Sequence, residues 1–202
     1  MDPSTITTVN SIDLIQEKII YHGSLIQGIT HFNPGSHFGS LEQALVCIGA
    51  HAFIDEHKPI SPTIYKCQVN YRDSDIFHMS DWGTPNHQGT LRAYFYANKL
   101  DDEFKKISRT LQNSTDPEKL SLNLLKDAML ERGHKAISYE NTVESKGTSI
   151  MILFPNDIRI LETSTPSRND IFSSFTTNLD KLRPSKRSLA IQLAKSYRDG
   201  LI

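Results

Sequence analysis

The chain has 202 residues, 22 Lys+Arg against 23 Asp+Glu, and a formal net charge of −1. That length suits one domain, or one domain with a terminal extension, and 38% hydrophobic residues are enough to bury a core, which excludes wholesale disorder. The balanced charge excludes a polybasic nucleic-acid binder on the whole-chain average, and no segment approaches the ~18 consecutive apolar residues that cross a bilayer.

Residues 1–15 are polar. Lys18-Ile19-Ile20-Tyr21 is short and β-rich, and His22-Gly23-Ser24 ends it, which predicts a strand running into a turn. Residues 25–39 carry Gly28, Pro34, Gly35 and Gly39 and read as a loop. Ser40 and Gln43 have the spacing of a capping box, and Leu41, Ala44, Leu45, Ile48 and Ala52 follow at helical period, so a helix is predicted to about His57. Thr63–Val69 alternates like a strand. Residues 70–88, with Asp81-Trp82-Gly83, read as an irregular crossing.

One helix is predicted over about Thr90–Leu111. A second starts at a capping box of Thr115 and Glu118, with Pro117 in its first turn and Gly133 as its stop. Short strands follow at Lys135–Tyr139, Ser149–Phe154 and Ile158–Leu161. Thr163–Asn178 is rich in Ser, Thr and Asn and reads as a linker. A basic amphipathic helix is predicted from Ser185 to Arg198. Strands at both ends with helices between them predict an α+β fold, since a doubly wound sheet would alternate regularly. Neither GxGxxG after a strand nor GxxxxGK[ST] is present, so ordinary Rossmann and P-loop nucleotide sites are excluded.

Three places depart from a bland domain. Tyr21-His22-Gly23-Ser24 sets a histidine at a strand end beside a glycine. The glycine lets a ligand approach the backbone, and the imidazole can donate to a sugar hydroxyl. Phe38-Gly39-Ser40 places an aromatic at a helix entrance, as the floor for a planar ring or as a core residue. Tyr139-Glu140-Asn141-Thr142-Val143-Glu144-Ser145-Lys146-Gly147 is a polar loop with two carboxylates between two strands, solvated or catalytic.

The order and spacing of these three resemble the ADP-ribosyltransferase fold, in the branch shared by diphtheria toxin and the poly-ADP-ribose polymerases. Tyr139, Asn141, Val143, Glu144, Lys146, Gly147, Ser149 and Pro155 also fit the Y-x-N-x-V-E-x-K-G segment of phage- and bacterium-encoded members. The resemblance spans about residues 18–162. It implies a split β-sheet catalytic core over 1–162, with a helical insertion at about 90–132 that covers the cleft, docks the acceptor or is simply core. The tail, 163–202, lies outside it as a linker and an amphipathic helix.

The resemblance implies NAD as substrate and no metal. His22, Gly23, Ser24, Phe38, Gly39, Ser40 and Ser149 would bind it: His22 holds a ribose hydroxyl, the Gly23 backbone binds the nicotinamide carboxamide, and Phe38 stacks on its ring. Two departures stand out. Phe38 replaces the tyrosine usual in the toxins, and Ser149 occupies the position where the polymerases carry their glutamate. The catalytic carboxylate is then expected from the preceding loop: Glu144 first, Glu140 as the alternative, and a pseudoenzyme if neither reaches the site.

The expected activity is mono-ADP-ribosyl transfer to a protein side chain, as in a bacterial effector or toxin acting on a host protein. NAD glycohydrolysis and a non-catalytic nucleotide- or partner-binding module are the alternatives. Glu140 and Glu144 are four apart, so the Glu-x-Glu signature of arginine-specific toxins is absent. No nucleic-acid or membrane partner is expected. Two cysteines, Cys47 and Cys67, form no disulfide framework and fit a reducing compartment. The N-terminus lacks the basic start and apolar stretch of a secretory signal, so delivery into a host cytosol would not use a general signal peptide.

Overall fold

Two small sheets lie face to face, and each carries helices on its outer side. The structure is a computed structural model and describes residues 16–55, 61–80, 82, 86–141, 145–179 and 184–202. The first sheet has the order β1-β3-β7, with β1 (Gln16–Ser24), β3 (Thr63–Tyr71) and β7 (Ile158–Ser164) all antiparallel. The second has the order β2-β6-β5-β4, with β2 (Ser36–Phe38), β6 (Gly147–Ile152), β5 (Ala136–Asn141) and β4 (Ile76–Met79). Its β4–β5 pair is parallel and the others are antiparallel.

Strand alternation divides the side chains among three cores. Ile20, Tyr65, Cys67, Val69 and Tyr71 of the first sheet meet Phe38, Ile76, Ala136, Ile150 and Ile152 of the second in the inter-sheet core. The other face of the first sheet, through Tyr21 and Ile64, packs on α1 (Leu41–Phe53), α5 (Arg168–Thr177) and α6 (Pro184–Arg198). The other face of the second sheet, through Ile137, Tyr139 and Met151, packs on α2 (His87–Ala97), α3 (Asp101–Gln112) and α4 (Pro117–Leu130). The chain is therefore α+β, as its pattern predicts. The helices between β4 and β5 are core on the outer face of the second sheet, with Leu91, Tyr94, Leu125 and Met129 buried.

Several predicted elements are corrected. Residues 76–79, expected as part of an irregular crossing, form β4; with four residues and only Ile76 buried, it is too short to show a period. The single helix expected over Thr90–Leu111 is two, α2 and α3, broken where Lys99 adopts φ 59°. No glycine or proline marks that reversal, and a lysine there is uncommon.

The cap of α4 lies one residue later than expected: Asp116 accepts from the Lys119 N–H at 3.0 Å. Pro117, at the first helical position, makes its predecessor the cap. Gly133 closes the turn after α4 at φ 76°. The expected linker, Thr163–Asn178, is the end of β7 followed by α5. That helix has a capping box of Ser167 and Asp170. Its Thr176 and Thr177 hydroxyls bond back to the carbonyls of Phe172 (2.7 Å) and Ser173 (2.9 Å), which hides a helix inside a loop-like composition. α6 lies where expected, but it buries Ala190, Ala194 and Tyr197 and leaves Leu189 half exposed. Among the described residues, no helix is long and apolar enough to cross a membrane.

Candidate functional site

The two sheets meet at one point. Tyr21 and Gly39 exchange a pair of main-chain hydrogen bonds, each 2.9 Å, between β1 and the residue after β2. Beside this bridge is a recess of about 40 Å³, lined by His22, Gly23, His37, Phe38, Gly39, Gln43, Cys47 and Ser149 among others. It shares Gly39 and Ser149 with a groove of about 470 Å³, which Lys18, Ser40, Ser138 and Thr148 also line. The groove is within the size range of small-molecule sites. The recess takes a water or two, or the amide end of a ligand; an apolar cavity of roughly 150 Å³ is needed for a benzene ring.

His22 projects from β1 against Phe32, Phe38 and Tyr65. Its Nδ1–H donates to the main-chain carbonyl of His37 at 2.8 Å. Burial lowers its pKa, against the opposing pull of that hydrogen bond. A neutral ring with the proton on Nδ1 presents Nε2 as an acceptor. The sequence suggested a donor; the tautomer fixed by the His37 carbonyl makes it the reverse.

Gly23 is explained by packing as well as by ligand approach. A Cβ there would stand 2.2 Å from the carbonyl oxygen of Ala44, so only glycine lets α1 lie this close to β1. Tyr21 turns its N–H and C=O away from β3 to reach Gly39, and the residue two further on turns its own the same way. The Gly23 main chain thus faces the recess edge.

Phe38 is 2% exposed. It meets Phe32 edge-on at 4.9 Å between ring centroids and His22 at 5.3 Å. It is a wall of the recess and a core residue, with no face open for stacking. Ser24 does not line the recess; its Oγ accepts from the Ile26 N–H in the turn after β1. Ser40 lines the groove, and its Oγ caps α1 by accepting from the Gln43 N–H at 3.2 Å. Ser149 lines both spaces and accepts from Asn141 Nδ2 at 3.0 Å.

Glu140 is exposed and lies opposite Thr148, on the β5 face that carries Ser138. It therefore stands beside the groove, away from the recess. Glu144 lies outside the described residues. Among the described residues, neither the recess nor the groove is lined by a carboxylate.

Three lining or supporting residues escaped the sequence reading. Gln43 is 3% exposed. Its Oε1 accepts from the Ser40 N–H at 2.8 Å, and its Nε2 donates to the Ser145 carbonyl at 3.2 Å. It ties the start of α1 to the end of the loop that carries Glu144. The capping-box pattern found the first bond; the second is long-range and leaves no local signal. His37 and Tyr139, the other two, lie 102 residues apart and join His37 Nδ1 to the Tyr139 hydroxyl at 2.7 Å. Burial holds His37 down at about 4, with the neighbouring His87 and His22 adding to it.

Compared with protein-family models, curated proteins and solved structures, the chain matches none. The functional reading therefore rests on this geometry and on the sequence motifs.

Proposed function

We propose that the chain is an NAD-dependent mono-ADP-ribosyltransferase that moves ADP-ribose to a protein side chain and releases nicotinamide, with a host protein as acceptor in the manner of a bacterial effector or toxin. One observation carries this reading. His22-Gly23 from β1, Phe38-Gly39 from the β2–α1 junction and Ser149 from β6 converge on a single recess, in the chain order that the resemblance requires.

In the proposed reaction the bond between nicotinamide nitrogen and ribose C1′ breaks. Nicotinamide leaves neutral with the bonding electrons, and C1′ gains oxocarbenium character. The acceptor's lone pair closes the new bond to C1′, and its proton passes to solvent or a base. Nicotinamide's carboxamide takes the Gly23 main chain, His22 Nε2 accepts from a ribose hydroxyl, and Glu144 supplies the anion that stabilises the developing cation. The covered ring of Phe38 acts as a wall, so stacking on nicotinamide requires the cleft to open.

A second reading has an observation of its own. With Ser149 at the position of the polymerases' glutamate and no carboxylate among the described lining residues, a module that holds NAD without cleaving it is the alternative. Incubation with labelled NAD and a cell lysate separates the two. A labelled protein band supports transfer. Free nicotinamide without a band reassigns the protein to hydrolysis. Binding with neither product leaves the non-catalytic module.

A further inference from the structure

The outer face of the second sheet gathers two histidines that the proposed reaction does not use. The His37 side chain lies on the face of β2 opposite to Phe38. There it stands across from Met151 of β6, and its Nδ1 meets the Tyr139 hydroxyl at 2.7 Å. Its Nε2 is buried without a hydrogen-bond partner among the described residues. His87, the first residue of α2, packs on the chain two residues before His37: a Cβ on Gly35 would stand 2.6 Å from the His87 Nε2.

The neutral ring fits this place and the charged ring does not. Whichever nitrogen carries the single proton of neutral His37, a second proton leaves a cationic Nε2–H without an acceptor. The groups around the ring do not compensate. Tyr139 of β5 offers a neutral hydroxyl and packs against Trp82 at 4.7 Å between ring centroids. His22 of β1 donates to the His37 carbonyl, and it opposes a charge on the ring, as His87 does more strongly. His87 also stands at the positive end of the α2 dipole. Glu118 of α4 is engaged by His87: it accepts the His87 main-chain N–H at 2.8 Å and lies 3.5 Å from its Nδ1.

We propose that the contact between β2 and the start of α2 is an acid-released latch, closed at neutral pH and parted when His37 takes up a proton, while both sheets persist. Parting admits water to Nε2 and separates the ring from His87 and the helix terminus. The inference does not rest on the NAD reading. Burial, and then the neighbouring His87 and His22, hold the closed ring at about 4 against 6.5 in water, so the opening constant should rise about 20-fold between pH 7 and pH 5.

Native-state hydrogen exchange on the full chain tests it, with rates corrected for the intrinsic effect of pH. The reporters are the Gly89 and Thr90 amides, which Asn86 holds at the start of α2. Tyr65 and Cys67 in the central strand of the first sheet report global unfolding. From pH 7 to pH 5, Gly89 and Thr90 are expected to lose about 20-fold in protection, through an opening that urea barely accelerates. Tyr65 and Cys67 should keep a steep urea dependence. His37→Phe should remove the acid-driven loss. His87→Gln should shrink it, because it takes away a charge that opposes one on His37. The wild-type measurement decides without either variant. Unchanged protection at Gly89 and Thr90, or a loss that shares the urea slope of Tyr65, overturns the latch. So does an absence of protection there at neutral pH, or an acid-driven loss that survives in His37→Phe.

Discussion

A histidine kept neutral by its surroundings leaves a mark on stability that does not depend on any ligand. In the unfolded chain the His37 imidazole titrates at its ordinary value of 6.5, and in the folded chain it resists protonation down to about 4. Stability from this group is therefore complete above 6.5. It falls as the pH drops through that window, because only the unfolded state takes up the proton, and it falls no further below about 4. The loss comes to about 3 kcal/mol at 1.36 kcal/mol per unit. His22 is lowered by burial as well and adds in the same direction. Urea unfolding of wild type and His37→Phe across this range is expected to show a shallower pH slope in the variant. Parallel slopes would show that His37 is not the group being kept neutral. The same residue illustrates what a sequence conceals. His37 lies in a stretch that reads as loop, and what defines it is a contact with Tyr139 across the β6 strand between them.

At the scale of elements, the start of α1 and the β5–β6 connection act as one part, because Gln43 grips both. Gln43→Leu strands a main-chain N–H and a carbonyl, which should cost about 1–3 kcal/mol. It also releases the Ser145 carbonyl, one residue after Glu144 in the chain. Under the proposed mechanism, transfer should fall more than NAD binding does; an equal fall in both would make Gln43 a packing residue only. The two carboxylates are expected to separate as well. Glu144→Gln should reduce transfer by ~10²–10³, by analogy with loss of one oxyanion-hole donor, while NAD still binds. Glu140, exposed beside the groove, should matter less and mainly for acceptor use. Transfer assays on both variants decide the matter: a dead Glu140→Gln with an active Glu144→Gln reverses the assignment, and two active variants remove the mechanism.

Across the whole molecule, the layers follow from patterns that are legible in the chain. Alternation in Thr63–Val69, the capped α1 and the strands near 135–161 gave the sheets and the inner helix. The departures have separate physical reasons: α5 bonds its hydroxyls to its own carbonyls and seats Phe175 on Gly49, β4 is a four-residue edge strand paired with β5, and the α2–α3 reversal places a lysine at positive φ where glycine is usual. Helix α5 is the case with the largest consequence. A Cβ on Gly49 of α1 would lie 2.7 Å from Phe175, so the tail is keyed into the first sheet's outer layer. A chain ending at Ser164 would expose Leu45, Ile48 and Phe53, which α5 and α6 cover. It is expected to unfold cooperatively at lower denaturant or to aggregate; an unchanged midpoint would make the tail dispensable. The Tyr21–Gly39 bridge has a different consequence. Two hydrogen bonds are, among the described residues, all that the main chains contribute to joining the sheets, which otherwise meet through the side chains of the inter-sheet core. For a pyridine ring to enter a space sized for an amide, this seam must open. Its signature lies in deuterium uptake: the Tyr21 and Gly39 amides should exchange faster than those of Tyr65 and Cys67 in the central strand and slow when NAD is added. Equal protection with and without NAD would mean that the seam is closed and the ring must enter another way.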